Sequence, residues 1–394
     1  MSKMAKGLCQ SVLSLSFNLA GMLAGTLLAL NLDVFSATSW AILLFPGVLS
    51  IKGAIGGLFS GRLSTALHVG TIRASYTENT RSFYLLLYSI VTLTLGSSIL
   101  TGLATSLLGV FLLGTTVVDS LAILAVMITT MGLALALISP ITLGVSILSL
   151  KKGLDPDVII YPVTSTVADI LVTICYILVL NSFLSSQFGQ ILVVLFSLFF
   201  LLAVCYILNK NYREEEFAKT VNEFLLTLVF VTFIVNITGL TLNEITHIMG
   251  SNPKIYVVYP ALIDTVGDVG SIVGSTATTK LALGTIRSSF SSIKYHLAEI
   301  SGAWSASLVM FSLYAIIASF TYGSTASSEF WRFIVQLLIT NTLAVSLIIL
   351  VSFAVTISTH RRGWNPDNFV IPVESSMADS ITTFSLLIAL IVVA

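Results

Sequence analysis

The chain has 394 residues, of which 56% are hydrophobic and 9% are charged. A soluble domain is about 25% charged, so this composition excludes a soluble enzyme, a disordered protein and a nucleic-acid-binding protein with a basic face. The 18 basic and 18 acidic residues give a net charge of zero, so the total charge identifies no partner.

Apolar segments of membrane-spanning length recur along the whole chain. A spanning helix needs about 20 mostly apolar residues, and we predict eleven spans in an all-α polytopic protein of the lipid bilayer. Residues 38–72 and 256–286 contain proline, many glycines and charged residues, so each is predicted to be a broken or interrupted helix. The other nine predicted spans are regular helices at 9–30, 83–115, 121–150, 158–180, 188–208, 217–240, 297–320, 330–358 and 369–393.

The distribution of lysine and arginine predicts the orientation, because cytoplasmic connections carry an excess of these residues. With the N-terminus inside, the inside connections hold thirteen of them, and the outside connections hold only Lys254 and Arg332. We therefore expect a plasma-membrane protein with a cytoplasmic N-terminus and an extracellular C-terminus.

Two blocks of sequence recur in the same order, which indicates an internal duplication. Residues 151–169 match residues 361–379, with eight of nineteen positions identical, where average composition gives about one. Upstream, Pro46, Gly53 and the segment 70–73 recur 214 residues later. The sequence thus predicts five-helix repeats at 1–182 and 217–394, joined by a linking helix and loop at 183–216.

The linking helix decides how the second repeat enters the membrane. Five spans leave the chain outside, and one further helix returns it to the cytoplasm, so both repeats enter in the same direction. Parallel repeats are related by a pseudo-twofold axis along the membrane normal. We expect a pseudo-dimer within one chain, compatible with a monomer, and an axial path where the copies meet.

Acidic residues within the predicted spans are the main candidates for function. Asp169 and Asp379 occupy equivalent positions near mid-membrane, where an aspartate costs roughly 2.5–3.5 kcal/mol on the insertion scale. Asp264 and Asp268 are four residues apart, so they share one helix face. Glu374 lies closer to the cytoplasmic end of the last span. This acidic interior predicts a cation path, with the four aspartates as metal ligands.

Structural roles for the same residues remain open. Asp169 and Asp379 have the alternative of being capped by nearby hydroxyls, such as those of Thr166 or Ser376. The alternative for Asp264 and Asp268 is a static buried ion pair with Lys52. The glycines of the second span in each repeat would also allow close helix packing.

The residue types favour Mg²⁺ as the transported ion. The four histidines are scattered, which argues against zinc, copper or nickel. Mg²⁺ keeps several waters and is held by one or two carboxylates, as one aspartate from each repeat would provide. Composition alone leaves Ca²⁺ and Na⁺ open.

The motifs resemble those of a known transporter family. Residues 45–53 and 62–66 resemble the second-helix signature of solute carrier family 41, the duplicated relatives of the bacterial MgtE magnesium channels. Residues 155–169 resemble the fifth-helix motif of MgtE, and residues 365–379 repeat it. Only eight residues precede the first predicted helix, so the resemblance implies gating without the large cytoplasmic sensing domains of MgtE.

The resemblance implies a Mg²⁺ pathway between two five-helix units, with Asp169 and Asp379 as the mid-pore carboxylates. It places Asp155 near the cytoplasmic mouth, where its counterpart Asn365 has no charge. The usual Gly-Asn of the second helix is here Gly-Ala in one repeat and Gly-Asp in the other, so the halves are expected to be unequal. Secondary candidates along the path are Glu374, Asp155, Ser165, Ser375, Gly53, Gly267 and Lys52.

Three other functions are alternatives to a Mg²⁺ transporter or channel. The first is a Na⁺- or H⁺-coupled exchanger of the same fold, with Asp264, Asp268 or Glu374 binding the coupling ion. An intramembrane aspartyl protease requires Gly-x-Gly-Asp, and this motif is absent before Asp268. A scaffold would not need charged residues at matched depth. We therefore expect a transporter of divalent cations and no enzyme.

Overall fold

The computed structural model describes residues 8, 11–76, 78–151, 156–249, 252–282, 284–323, 327–362 and 367–393, and these form helices and turns without a strand. Eleven helices in these ranges are long and apolar enough to cross a membrane. The prediction of an all-α polytopic membrane protein with eleven spans is confirmed. The helices are α1 (Ser11–Leu30), α2 (Ala41–Val69), α3 (Arg81–Leu108), α4 (Val117–Lys151), α5 (Pro156–Ser185), α6 (Gln187–Asn211), α7 (Glu215–Met249), α8 (Pro253–Ala282), α9 (Leu297–Thr321), α10 (Ser327–Arg361) and α11 (Asp367–Val392).

The prediction of broken helices at 38–72 and 256–286 is wrong. α2 and α8 are each continuous, with Pro46 and Pro260 inside them. Pro46 lies within the first two turns of α2, where it removes a single backbone hydrogen bond. Neighbouring helices and local adjustments make such losses tolerable in membrane bundles. The irregular helix is instead α1, which contains a 3₁₀ segment at Ser16–Ala20.

The chain divides into two compact units that differ from the predicted repeats. The first unit is Asn31–Leu240, with α2 to α6 and the N-terminal part of α7. The second unit is Met1–Leu30 together with Thr241–Ala394, with α1, the end of α7 and α8 to α11. Each unit therefore contains the first helix of the other sequence repeat. The repeats are segments of similar sequence, whereas the units are groups of helices that pack together.

In the second unit, α1 packs closely along α8. A methyl group added to Gly25 would overlap the backbone carbonyl of Val257, and one added to Gly21 would lie 3.4 Å from Ala261. Small residues permit such close helix contacts within a membrane. The glycines of the first span thus serve to seat α1 on the second helix of the other repeat.

The first unit contains the corresponding contact between α7 and α2. A methyl group on Gly239 would overlap the carbonyl of Leu43. The offset of 214 residues relates Gly239 to Gly25 and Val257 to Leu43. The two repeats therefore exchange their first helices through equivalent contacts, and this packing supports the register of the internal repeat.

The linking helix α6 is the most exposed of the eleven candidate spans. Only 22% of its most apolar window is buried, compared with 89% for α2. Phe188, Phe199 and Leu202 are among its exposed apolar side chains. Such a surface is suited to lipid, whereas α2 lies at the core of the first unit.

Candidate cation-binding site

The first unit contains a buried ion pair between α2 and α5. Lys52 Nζ lies 2.5 Å from Asp169 Oδ1, and their side chains are 7% and 2% exposed. Lys52 also donates to Ser165 Oγ at 3.3 Å, one helical turn before the aspartate. Nothing in the sequence indicated this pairing, since the predicted partners of Lys52 are Asp264 and Asp268. The carboxylate of the first repeat is thus compensated by a cation of the protein itself.

The second oxygen of Asp169 is differently placed. Asp169 Oδ2 is buried and has no hydrogen-bond partner among the described residues. The partner that the structure shows for the other oxygen, Oδ1, is Lys52. A buried, unsatisfied carboxylate oxygen is costly, and it remains available to a cation or a water molecule.

Lys52 also lines a cavity of about 40 Å³ between α2, α3 and α4. The cavity walls are mainly apolar, with residues such as Ile55, Phe59 and Met131. A hydrated cation needs polar groups along its path, so this cavity does not suit ion conduction. It does leave space beside the lysine.

In the second unit, α8 carries Asp264 and Asp268, both half-buried. Asn18 of α1 donates through Nδ2 to Asp268 Oδ2 at 2.8 Å. Thr265 directly follows Asp264, and its Oγ1 lies 2.8 Å from the hydroxyl oxygen of Tyr314 on α9. Sequence analysis missed Asn18, although a single asparagine in the first apolar span was a signal for a buried polar contact.

The helices α8 and α11 run antiparallel and pack against each other. Tyr259 Oη meets Thr383 Oγ1 at 2.9 Å, and further along a methyl on Gly267 would lie 3.6 Å from Ala378. Asp379 is buried, 7% exposed, one residue beyond Ala378. Asp264, Asp268 and Asp379 thus belong to one packed pair of helices.

Glu374 lies on the same helix pair, nearer the start of α11. It is fully buried and accepts hydrogen bonds from Ser271 of α8, at 3.2 Å, and from Ser352 of α10. Together with Asp264, Asp268 and Asp379, it adds a carboxylate to two adjoining helices of the second unit, whose α11 also begins at Asp367. Sequence analysis named Glu374 but neither serine.

The first repeat lacks most of these carboxylates. At the repeat offsets, Asp264 corresponds to Ser50, Asp268 to Ala54 and Glu374 to Thr164. The place of Lys52 is taken by Val266, which is fully buried in the second unit. The two halves therefore differ in charge, as expected. The first unit has an aspartate paired with a lysine, and the second unit has several carboxylates.

The remaining candidates add little to either site. Ser375 and Gly267 are half-buried and Gly53 is buried, while Asp155 lies outside the described residues. Asp169 and Asp379 belong to different units, so their pairing stays a prediction. Within the described ranges, no group of three or more His, Cys, Asp or Glu side chains is placed to hold a metal ion.

Comparisons with known proteins identify the family. Searches of curated proteins and of solved structures find no match. The family model MgtE, described as a divalent cation transporter, matches residues 45–179 and again residues 259–389. The two matches cover more than half of the chain and repeat the internal duplication. The chain is an integral membrane protein that belongs to the MgtE family of divalent cation transporters.

Proposed function

We propose that the chain transports Mg²⁺ and that the carboxylates of α8 and α11 bind the ion. The observation that carries this proposal is the placement of Asp264, Asp268 and Asp379 on one helix pair, with Val266 where the first repeat has a lysine. Carboxylates within a membrane are rare and mark ion pathways. Asp169 is the corresponding proposed ligand of the first repeat, in which Lys52 would have to release it, because it occupies the position equivalent to Asp379.

The available ligands support Mg²⁺ over transition metals. They are carboxylate, hydroxyl and amide oxygens, which suit hard cations. Mg²⁺ retains most of its hydration shell and needs only one or two protein carboxylates. A site of this kind does not require three acidic side chains around the ion. This agrees with the described residues, which contain no such group.

Ion flux through the purified full chain in proteoliposomes tests this function. An imposed Mg²⁺ gradient should drive uptake that protein-free vesicles lack, and Mg²⁺ should be carried faster than Ca²⁺. Repeating the measurement with Na⁺ gradients distinguishes a channel from a Na⁺-coupled exchanger. Mg²⁺ uptake equal to that of empty vesicles would contradict the proposal.

We also propose that the N-terminus faces the cytoplasm of a cell whose plasma membrane contains the protein. The excess of lysine and arginine in alternate connections supports this orientation. Single cysteines at the exposed positions Ala74 and Val117, in a chain without its native cysteines, provide a test. An impermeant thiol reagent should label V117C and spare A74C in intact cells. The reverse pattern would invert the topology.

A further inference from the structure

Glu374 is a buried carboxyl group to which no cationic side chain is bonded among the described residues. It is 0% exposed and lies between α8, α10 and α11. An isolated ionised carboxylate is costly to bury, so such a group either binds a cation or becomes neutral. The hydrogen bonds around it decide between these states.

Ser352 has two neighbouring oxygens within reach of its single hydroxyl hydrogen. Ser352 Oγ lies 2.7 Å from the carbonyl oxygen of Gly270 and within hydrogen-bonding distance of Glu374 Oε1. A carbonyl oxygen only accepts, and a hydroxyl has one hydrogen to donate. If Ser352 donates to Gly270, the contact with Glu374 is a hydrogen bond only when the carboxyl group itself donates.

We propose that Glu374 is a proton-binding site within the membrane, and that it exchanges its proton with water during cation transport. In the protonated state, Glu374 Oε1–H donates to Ser352 Oγ, and Ser271 donates to Oε2. Release passes the proton to a water molecule and leaves a carboxylate that Ser352 and Ser271 both solvate. The coupling to transport rests on the proposed function, whereas the bound proton does not.

The burial of Glu374 favours the neutral form, because an ionised carboxylate loses its hydration inside the protein. Lys280, further along α8, pairs with Glu299 at 2.8 Å. Besides Glu374, the titratable and charged groups on the three helices are Lys254, Tyr256, Tyr259, Asp264, Asp268 and Lys280 on α8, Asp367 and Asp379 on α11, and Glu329, Arg332, His360 and Arg361 on α10.

The first repeat shows what a permanently neutral version of this site contains. Thr164 takes the place of Glu374, and Thr142 takes the place of Ser352. Both threonines are buried. A hydroxyl thus occupies the position at which the protonated carboxyl group would donate, so the ionisable group is an addition specific to the second repeat.

Infrared spectroscopy of the full chain in lipid tests the bound proton. The wild type should show the carbonyl absorption of a protonated carboxylic acid near neutral pH, and Glu374→Gln should lose it. Glu374→Thr, which introduces the residue of the first repeat, should lose the same absorption. It provides an independent test if Glu374→Gln does not fold. Glu329→Gln, at an exposed glutamate on α10, should retain it. An absorption unchanged in both Glu374 variants would overturn the proposal.

The pH dependence of Mg²⁺ uptake in proteoliposomes tests the exchange of the proton. Uptake by the wild type and by Glu329→Gln should change with pH, and that dependence should be lost in Glu374→Gln. An identical pH profile for wild type and Glu374→Gln would overturn the coupling. Absence of Mg²⁺ uptake in the wild type would reject the transport function, while the infrared result would still decide whether Glu374 carries a proton.

Discussion

Replacing Asp379 with asparagine should lower the initial rate of Mg²⁺ uptake at least about tenfold. Removing one partner of a buried charge interaction costs about 2–5 kcal/mol, and about 1.4 kcal/mol corresponds to a factor of ten. Asp379 is buried on α11, which packs against α8, and Val266 stands where the first repeat has Lys52. The asparagine keeps the size of the side chain, so the loss reports the charge. The measurement is uptake in proteoliposomes under a fixed Mg²⁺ gradient.

The first repeat provides the comparison for this experiment. Exchanging the ion pair for neutral residues, as Lys52→Met with Asp169→Asn, removes no net charge and should reduce uptake less than Asp379→Asn. Asp33→Asn, at an exposed aspartate, should leave uptake unchanged. The combination of Asp169→Asn and Asp379→Asn should abolish uptake. Undiminished Mg²⁺ flux in that double variant would remove both aspartates from the ion path.

The number of spans could be predicted from the sequence because the bilayer fixes the length of an apolar helix. Whether an individual span is a continuous helix could not be predicted. Proline and glycine suggested breaks in the second and eighth helices, yet α2 and α8 are continuous because neighbouring helices can satisfy the few backbone groups that proline frees. Conversely, nothing in the apolar residues of α1 indicated its 3₁₀ segment at Ser16–Ala20.

The carboxylates were predictable because each is a charged residue within an apolar run. Their partners were not, since these come from distant parts of the chain. Asp268 is bonded to Asn18, 250 residues away, and this contact depends on the exchange of first helices between the repeats. A repeat in sequence does not specify which copy of a helix packs where, so this exchange required the structure.

The ion pair of Lys52 with Asp169 gives the second large effect, on stability. Lys52→Met should lower the free energy of unfolding by about 3–5 kcal/mol, because it leaves a buried carboxylate without its counter-charge. Adding Asp169→Asn should restore most of that loss, since the pair is then neutral on both sides. The measurement is unfolding by denaturant in lipid or detergent. Lys219→Met, at an exposed lysine, is the control and should change stability by less than about 0.5 kcal/mol.

The same variants separate a static ion pair from a lysine that occupies a cation site. If the ammonium group of Lys52 takes the place of a transported ion at Asp169, Mg²⁺ should stabilise Lys52→Met more than it stabilises the wild type, because a ligand stabilises the state that binds it. That additional stabilisation should vanish in the double variant with Asp169→Asn. Equal stabilisation of all three proteins by Mg²⁺ would mean that Asp169 binds no ion, and the cation site would then consist of the carboxylates on α8 and α11 alone.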